Sequence, residues 1–322
     1  MQARVAGETA GDPMSAQKWV RSSLRHLSRH LATVGHPGSP PTVGRVLKAL
    51  TYALRANAKK RTGKDHPDRN AQFGVLAALT EQYVAAGWPV ISVDTKKKEL
   101  IGNFKQAGRQ WSQAPEAVLV HDFPEDGVGR AVPYGIYDVA RNHGAVYVGQ
   151  SADTPRFAVD AITAWWREDG QAAYPSADRL LILADAGGSN SCRFRVWKQH
   201  LQMHLADTFG LTLTVGHFPA RCSKWNPIEH RLFSFISLNW AGLPLRTFDT
   251  VLAAIRGTTT QTGLTVTARL LDGVYPTGET VSDADMQSLR LDRHTVCPSW
   301  NYTIRPRSGL DAADAPTENA GS

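Results

Sequence analysis

Pro89-Val90-Ile91-Ser92-Val93-Asp94 and Leu180-Leu181-Ile182-Leu183-Ala184-Asp185 decide the fold of this chain. Each run is short, apolar and rich in branched side chains, and reads as a strand buried on both faces. Between them, residues 100–104 read as a second strand. Residues 132–138 and 145–148 read as a hairpin turning through Asn142-His143-Gly144, and a helix follows at 155–166. Beyond the second run come a helix at 191–208, a strand at 211–215 and a helix at 226–239. Three strands followed by alternating helix and strand predict a layered α/β domain.

Both runs end in an aspartate. In an open α/β sheet, ligands bind beyond the carboxyl ends of the strands, and a carboxylate there is costly unless something cationic meets it. Thr95-Lys96-Lys97-Lys98 follows Asp94, whereas the small, flexible Ala186-Gly187-Gly188-Ser189 follows Asp185. Each aspartate taken alone reads first as the cap of a turn; two in one core bring ligand binding level with that reading. Glu229 is the third candidate. Asn226 suits an N-cap and Pro227 a first helical position, so Glu229 falls in the first turn of a helix. There it either compensates the helix dipole or points across at the strand ends. Three carboxylates on separate elements suit Mg²⁺ or Mn²⁺ better than zinc.

Ahead of this region the chain is basic and helical. Of its 322 residues, 36 are Lys or Arg and 29 Asp or Glu, a net charge of +7. Residues 1–70 alone balance to +9 and the remainder to −2. That asymmetry is either a solvated basic surface or the footprint of a nucleic-acid arm. Residues 1–15 read as a disordered leader. A helix is expected from Ser15 with Val20, Leu24, Leu27 and Leu31 on one face. The segment at 35–41 breaks it, and Thr42 caps a second helix with Val43, Val46, Leu47, Leu50 and Leu54 inward. Two such helices resemble a helix-turn-helix, with Arg45, Lys48, Arg55, Lys59, Lys60 and Arg61 available to duplex DNA. A third helix at 68–86 completes a basic segment spanning 16–86, the layered domain spans 87–305, and the tail from 306 is polar and acidic. Three cysteines without a Cys-x-x-Cys pair exclude a disulfide framework and suit a reducing cytoplasm. No apolar stretch is long enough for a membrane span, and the start is no secretory signal.

The motifs themselves resemble a known family, the ISAzo-type insertion-sequence DDE transposases, whose catalytic domain is RNase H-like. The strings that carry the resemblance are V-I-S-V-D-T-K-K-K-E-L-I-G-N-F-K at 90–105, H-D-F at 121–123 and V-P-Y-G-I-Y-D at 132–138. L-I-L-A-D-A-G-G-S-N at 181–190, H-F-P at 217–219, S-K-W-N-P-I-E-H-R-L-F-S at 223–234 and W-N-Y-T-I at 300–304 continue it. It implies an RNase H-like mixed sheet flanked by helices, with Asp94, Asp185 and Glu229 as ligands of two divalent ions. It also implies cut-and-join chemistry on double-stranded DNA, at terminal inverted repeats and a target, by a homo-oligomer at the bacterial nucleoid. Family members carry more helical sequence before the helix-turn-helix, so a truncated or late-started copy is expected. Lys96, Lys97, Lys98 and Lys224 either neutralise phosphates as point charges or lie in solvated turns. A metal-dependent nuclease that cuts without joining and a DNA-binding repressor without catalysis are the competing functions. Glu125 and Asp126 are the rival carboxylates. His200 and His204 read as a surface pair, His121, His217 and His230 as structural or substrate-contacting, and Trp165, Trp166 and Trp197 as core.

Overall fold

The computed structural model describes residues 9–11, 18–20, 23–50, 52 and 66–307. Arg55, Lys59, Lys60 and Arg61, most of the expected leader and the tail from 308 lie outside the described residues. The chain divides into two compact units, Met1–Thr62 and Gly63–Ser322.

In the first unit β1 (Thr9–Gly11) pairs antiparallel with β2 (Lys18–Val20), although both fall where the sequence suggested leader and helix. The first helix begins later than expected. In α1 (Leu24–Thr33) the Ser23 hydroxyl accepts from the His26 amide and fixes the start. The second helix begins earlier, as α2 (Pro40–Ala49), because Ser39 rather than Thr42 caps it. Pro40 and Pro41 fall in the first turn, where no amide hydrogen is needed. Leu27 and Val43 are the buried residues of this helical hairpin, and Arg45 and Lys48 face solvent.

The second unit opens with α3 (Arg69–Ala85), grouped with the basic segment on sequence but here packed on the sheet through Leu76 and Tyr83. The strands follow as β3 (Val90–Thr95), β4 (Glu99–Ile101), β5 (Gly129–Asp138) and β6 (His143–Gly149). Helix α4 (Pro155–Trp165), capped by Thr154, crosses to β7 (Arg179–Asp185). Helix α5 (Arg195–His200) widens into π turns over Leu201–Asp207 and leads to β8 (Thr212–Phe218). The sheet order β6-β5-β3-β7-β8 places antiparallel strands on one side of β3 and parallel strands on the other, which is the RNase H-like arrangement. After β8, Glu229–Phe233 winds as π turns into α6 (Ser234–Asn239), followed by α7 (Phe248–Arg256). Strands β9 (Thr265–Leu270), β10 (Leu291–Arg293) and β11 (Asn301–Ile304) extend both edges, giving nine strands in all, with β4 pairing off the main path.

Alternation along β3 and β7 divides the core. Ile91, Val93, Leu180, Ile182 and Ala184 face α4 and α5, where Phe157, Trp165 and Trp197 are fully buried. Val90, Leu181 and Leu183 face the other way, against α3. On that second face α6 and α7 cover β5 and β6 through Leu232, Phe233, Ile236 and Val251. The close approach of the turn before α6 requires Gly135 and Gly144. A Cβ on Gly135 would lie 2.4 Å from the Phe233 ring, and one on Gly144 2.5 Å from Leu232.

Candidate active site

The register of the central strands brings the two aspartates together. β3 and β7 run parallel, with Val93 opposite Ala184 as their last paired residues. Asp94 and Asp185 are each the next residue along, at the same edge. By the alternation of strand side chains both share the face of Ser92 and Leu183, the face that α6 covers.

Asn226 fastens the third element to these strands. It is wholly buried, it accepts from the Ser92 hydroxyl, and its Nδ2 donates to Asp185 Oδ1 at 3.1 Å and to the Val93 carbonyl at 3.4 Å. Ser92 Oγ in turn accepts from the Ile228 amide at 3.0 Å. The Glu229 amide donates to the Asn226 carbonyl at 3.1 Å, so the turn carrying Glu229 is tied to both strand ends. The sequence suggested Asn226 as a helix cap. In the fold it is a cross-link between β3, β7 and the start of the helical turn.

The electrostatics show the three carboxylates acting on one another. Burial, then repulsion from Asp185, pushes Asp94 up to about 8, despite the Thr95 amide donating to it at 2.8 Å. Glu229 and Asp153 add to that repulsion. Asp185 is raised to about 6 by burial and by Glu229, with the Asn226 amide opposing. Burial also raises Glu229, which His230 and Lys96 draw back down. Crowding of this kind favours the protonated form, and a cation of high charge would relieve it. Among the described residues no three His, Cys, Asp or Glu side chains form a closed metal-binding group.

Asp153 is the participant that sequence reading missed. It lies just past β6, and its Oδ1 accepts from Thr95 Oγ1 at 3.0 Å, next to Asp94. Its one sequence cue is its position before Thr154-Pro155, which reads as an ordinary helix start. Glu125 and Asp126 instead occupy an exposed turn at Pro124–Asp126 and are not among the groups acting on Asp94.

The four candidate lysines separate in the fold. Lys96 turns inward, only 7% exposed, with Nζ 4.3 Å from the Trp240 ring centroid and 3.9 Å from Glu99 Oε1. Burial lowers its pKa, and Glu99 opposes that shift. It turns away from solvent and from any phosphate there, its backbone amide bonded to the Pro133 carbonyl and its ammonium over the Trp240 ring. Lys97 is exposed, Lys98 pairs with Asp153 at 3.7 Å, and Lys224 is exposed beside the Trp225 ring. His217 is a structural histidine: fully buried, it contacts the Asp185 carbonyl and the Tyr302 hydroxyl at 3.1 Å each, and burial lowers its pKa to about 4. His230 contacts the Lys224 carbonyl. His200 is buried and bonded to Glu279 at 2.9 Å, with its ring centroid 5.0 Å from that of His204, so the expected surface pair is half inside. Buried Trp165, Trp166 and Trp197 are core, as their helical spacing suggested.

The family described as the Rhodopirellula transposase DDE domain matches residues 1–306. The chain belongs to this transposase family. Among solved structures the chain is similar to the Mos1 transposase paired-end complex with left transposon end, at 12% identity and a TM-score of 0.43. That match covers 71% of this chain and 64% of the Mos1 chain. The Mos1 strand transfer complex matches at 11% identity and a TM-score of 0.43, over 78% and 74% of the two chains. The Mos1 mariner paired end complex with Mn matches at 12% and 0.42, over 71% and 64%. The chain thus spans just under two thirds of the Mos1 chain in two of these three. Among curated proteins no relative matches its sequence. No helix among its described residues is long and apolar enough to cross a membrane.

Proposed function

We propose that this protein cuts and joins DNA strands at the ends of an insertion sequence, with Asp94, Asp185 and Glu229 holding Mg²⁺ or Mn²⁺, two ions in the working complex. The carrying observation is the pair of in-register strand-end aspartates that Asn226 ties to the turn of Glu229. The donor set fits such ions: hard oxygen ligands, crowded and partly buried, with Asp94 raised to about 8 in the absence of a compensating charge. Divalent ions bound there supply Lewis-acid activation of the attacking oxygen and stabilise charge on the leaving 3′-oxygen.

The chain's own residues do the rest. Asn226 holds the Asp185 carboxylate in one orientation and fixes the helical turn, so the ligand geometry is set before substrate arrives. Lys96, buried beside Glu99, acts as a positioning charge that counters the upward shift burial imposes on Glu229. Exposed Lys97, Lys98 and Lys224 would meet phosphates in this reading. In the first unit, exposed Arg45 and Lys48 on α2 belong to a helical hairpin suited to duplex DNA, and Arg55, Lys59, Lys60 and Arg61 continue its basic run. Terminal inverted repeats and a target duplex are the substrates of this reading, and a homo-oligomer brings two ends together.

Mn²⁺-dependent nicking of a duplex carrying the element's terminal repeat tests it. Asp94→Asn, Asp185→Asn and Glu229→Gln should each retain binding and lose cutting, with double variants little worse than single ones. Glu125→Gln should cut at the parent rate. A Glu229→Gln protein that still cuts would remove Glu229 from the site.

A further inference from the structure

A cleft of about 1000 Å³ opens beside the strand end that carries Asp185, with Ala186, the residue after it, in the wall. Arg193, Arg195, Lys198 and Arg293 line it, against a single lining carboxylate, Asp283. Arg195 is already paired with Asp283 at 2.6 Å, and Arg293 donates to the Pro298 carbonyl at 3.0 Å. Lys198 is the unusual member. It is 4% exposed, donates to the Cys192 carbonyl and lies 5.5 Å from the Tyr302 ring centroid, yet no carboxylate pairs with it among the described residues. Burial and the like charges of Arg293 and Arg195 lower its pKa, and the neighbouring Cys192 thiol opposes them. A buried ammonium without a counter-charge is costly to keep, and here it faces a cavity whose other free charges are also cationic.

We propose that this cleft binds a phosphodiester of the DNA strand next to the bond being cut, with Lys198 at its floor and Arg193 and Arg293 at its rim. The proposal rests on the DNA-cleaving reading and deepens it, because it assigns the strand's path past Asp185 toward β10. The space exceeds what one inorganic phosphate fills. The His66 and Trp300 rings in the wall, with centroids 4.6 Å apart, offer an aromatic side to a nucleotide.

The test uses the full-length chain in EDTA, so that no cutting intervenes. Binding of a fluorescent single-stranded oligonucleotide is followed at salt concentrations from 50 to 200 mM, beside melting curves with and without inorganic phosphate. Removing both rim cations in Arg193→Gln/Arg293→Gln should weaken oligonucleotide binding several-fold at low salt and reduce the salt slope by about one to two. Lys198→Met keeps the stem and removes the charge. It should melt no lower than the parent in phosphate-free buffer and lose both the oligonucleotide gain and the phosphate-induced rise in Tm. If Lys198→Met does not fold, the rim variant decides alone. An unchanged affinity and slope in the rim variant overturns the proposal. So does a phosphate-induced rise in Tm without any effect on oligonucleotide binding, which would make the cleft a small-anion site only. Failure of Asp94→Asn to abolish nicking would sink the cleavage reading and leave these metal-free measurements standing.

Discussion

Replacing Asp94 by Asn should make the metal-free protein more stable, even though it destroys the proposed active site. Burial and the neighbouring Asp185 raise the Asp94 carboxyl from 3.8 to about 8 in the folded state. A folded-state value above the unfolded one means that the native protein binds the proton more tightly. Stability is therefore full below the unfolded value and falls as pH rises toward the folded one. Each pH unit inside that window costs 1.36 kcal/mol, which amounts to about 2 kcal/mol at pH 5 and about 4 kcal/mol at pH 7. Asn cannot ionise and escapes the loss, so the gap between variant and parent should widen by about 2–3 kcal/mol from pH 5 to pH 7. Asp185, raised to about 6, leaves the variant a shallower slope at the acid end. Because the aspartates repel, the steps measured belong to the pair. The assay is urea unfolding in EDTA at several pH values, repeated with saturating Mn²⁺. Metal at a hundred times its Kd should add about 2.7 kcal/mol to the parent and nothing to Asp94→Asn. Parallel pH profiles for the two proteins, or a variant less stable than the parent at pH 7, would refute the crowding argument.

Asn226→Ala removes the bonds to Ser92, Asp185 and Val93 and should cost about 1–3 kcal/mol; nicking should fall with it, and an active, equally stable variant would show that the cross-link does not position the site. Gly135→Ala drives a methyl into Phe233 and Ile228, should cost about 1–3 kcal/mol by overpacking, and should slow nicking by shifting the turn of Glu229, as a stability and rate measurement on one preparation will show. Trp197→Ala empties the centre of the core between sheet and α5 and should cost about 3–5 kcal/mol, read by denaturant midpoint. Lys96→Met, which removes the ammonium over Trp240, should move the pH profile of nicking toward higher pH by letting Glu229 hold its proton longer; an unmoved profile with normal folding would remove Lys96 from its positioning role.

The sequence by itself determined the central strands, the helices between them and the two aspartates that close the strands. Those features are local: a run such as Leu180-Leu181-Ile182-Leu183-Ala184 can satisfy its apolar side chains only deep in a sheet, and the aspartate marks where that burial stops. Ser39, Thr154 and Thr247 start their helices by short-range bonds that a careful reading of caps can find. The edge strands were not legible. β9 alternates polar and apolar residues but buries only Ala268, and β10 is three residues long with none buried, so neither shows the apolar run that marks the central strands. Only the tertiary structure decided that Asp94 lies in register with Asp185, because strand pairing depends on how crossovers of tens of residues close, not on either strand alone. It also decided that Lys96 points inward while Lys97 points out, that Asp153 reaches Thr95 across 58 positions, and that Asn226 bonds to residues more than 40 and 130 positions away. The basic cleft is likewise a tertiary object. Residues 193–198 come to β10 and Trp300 only because β8 and β11 pair across the sheet, placing unmatched positive charge where no sequence window contains it.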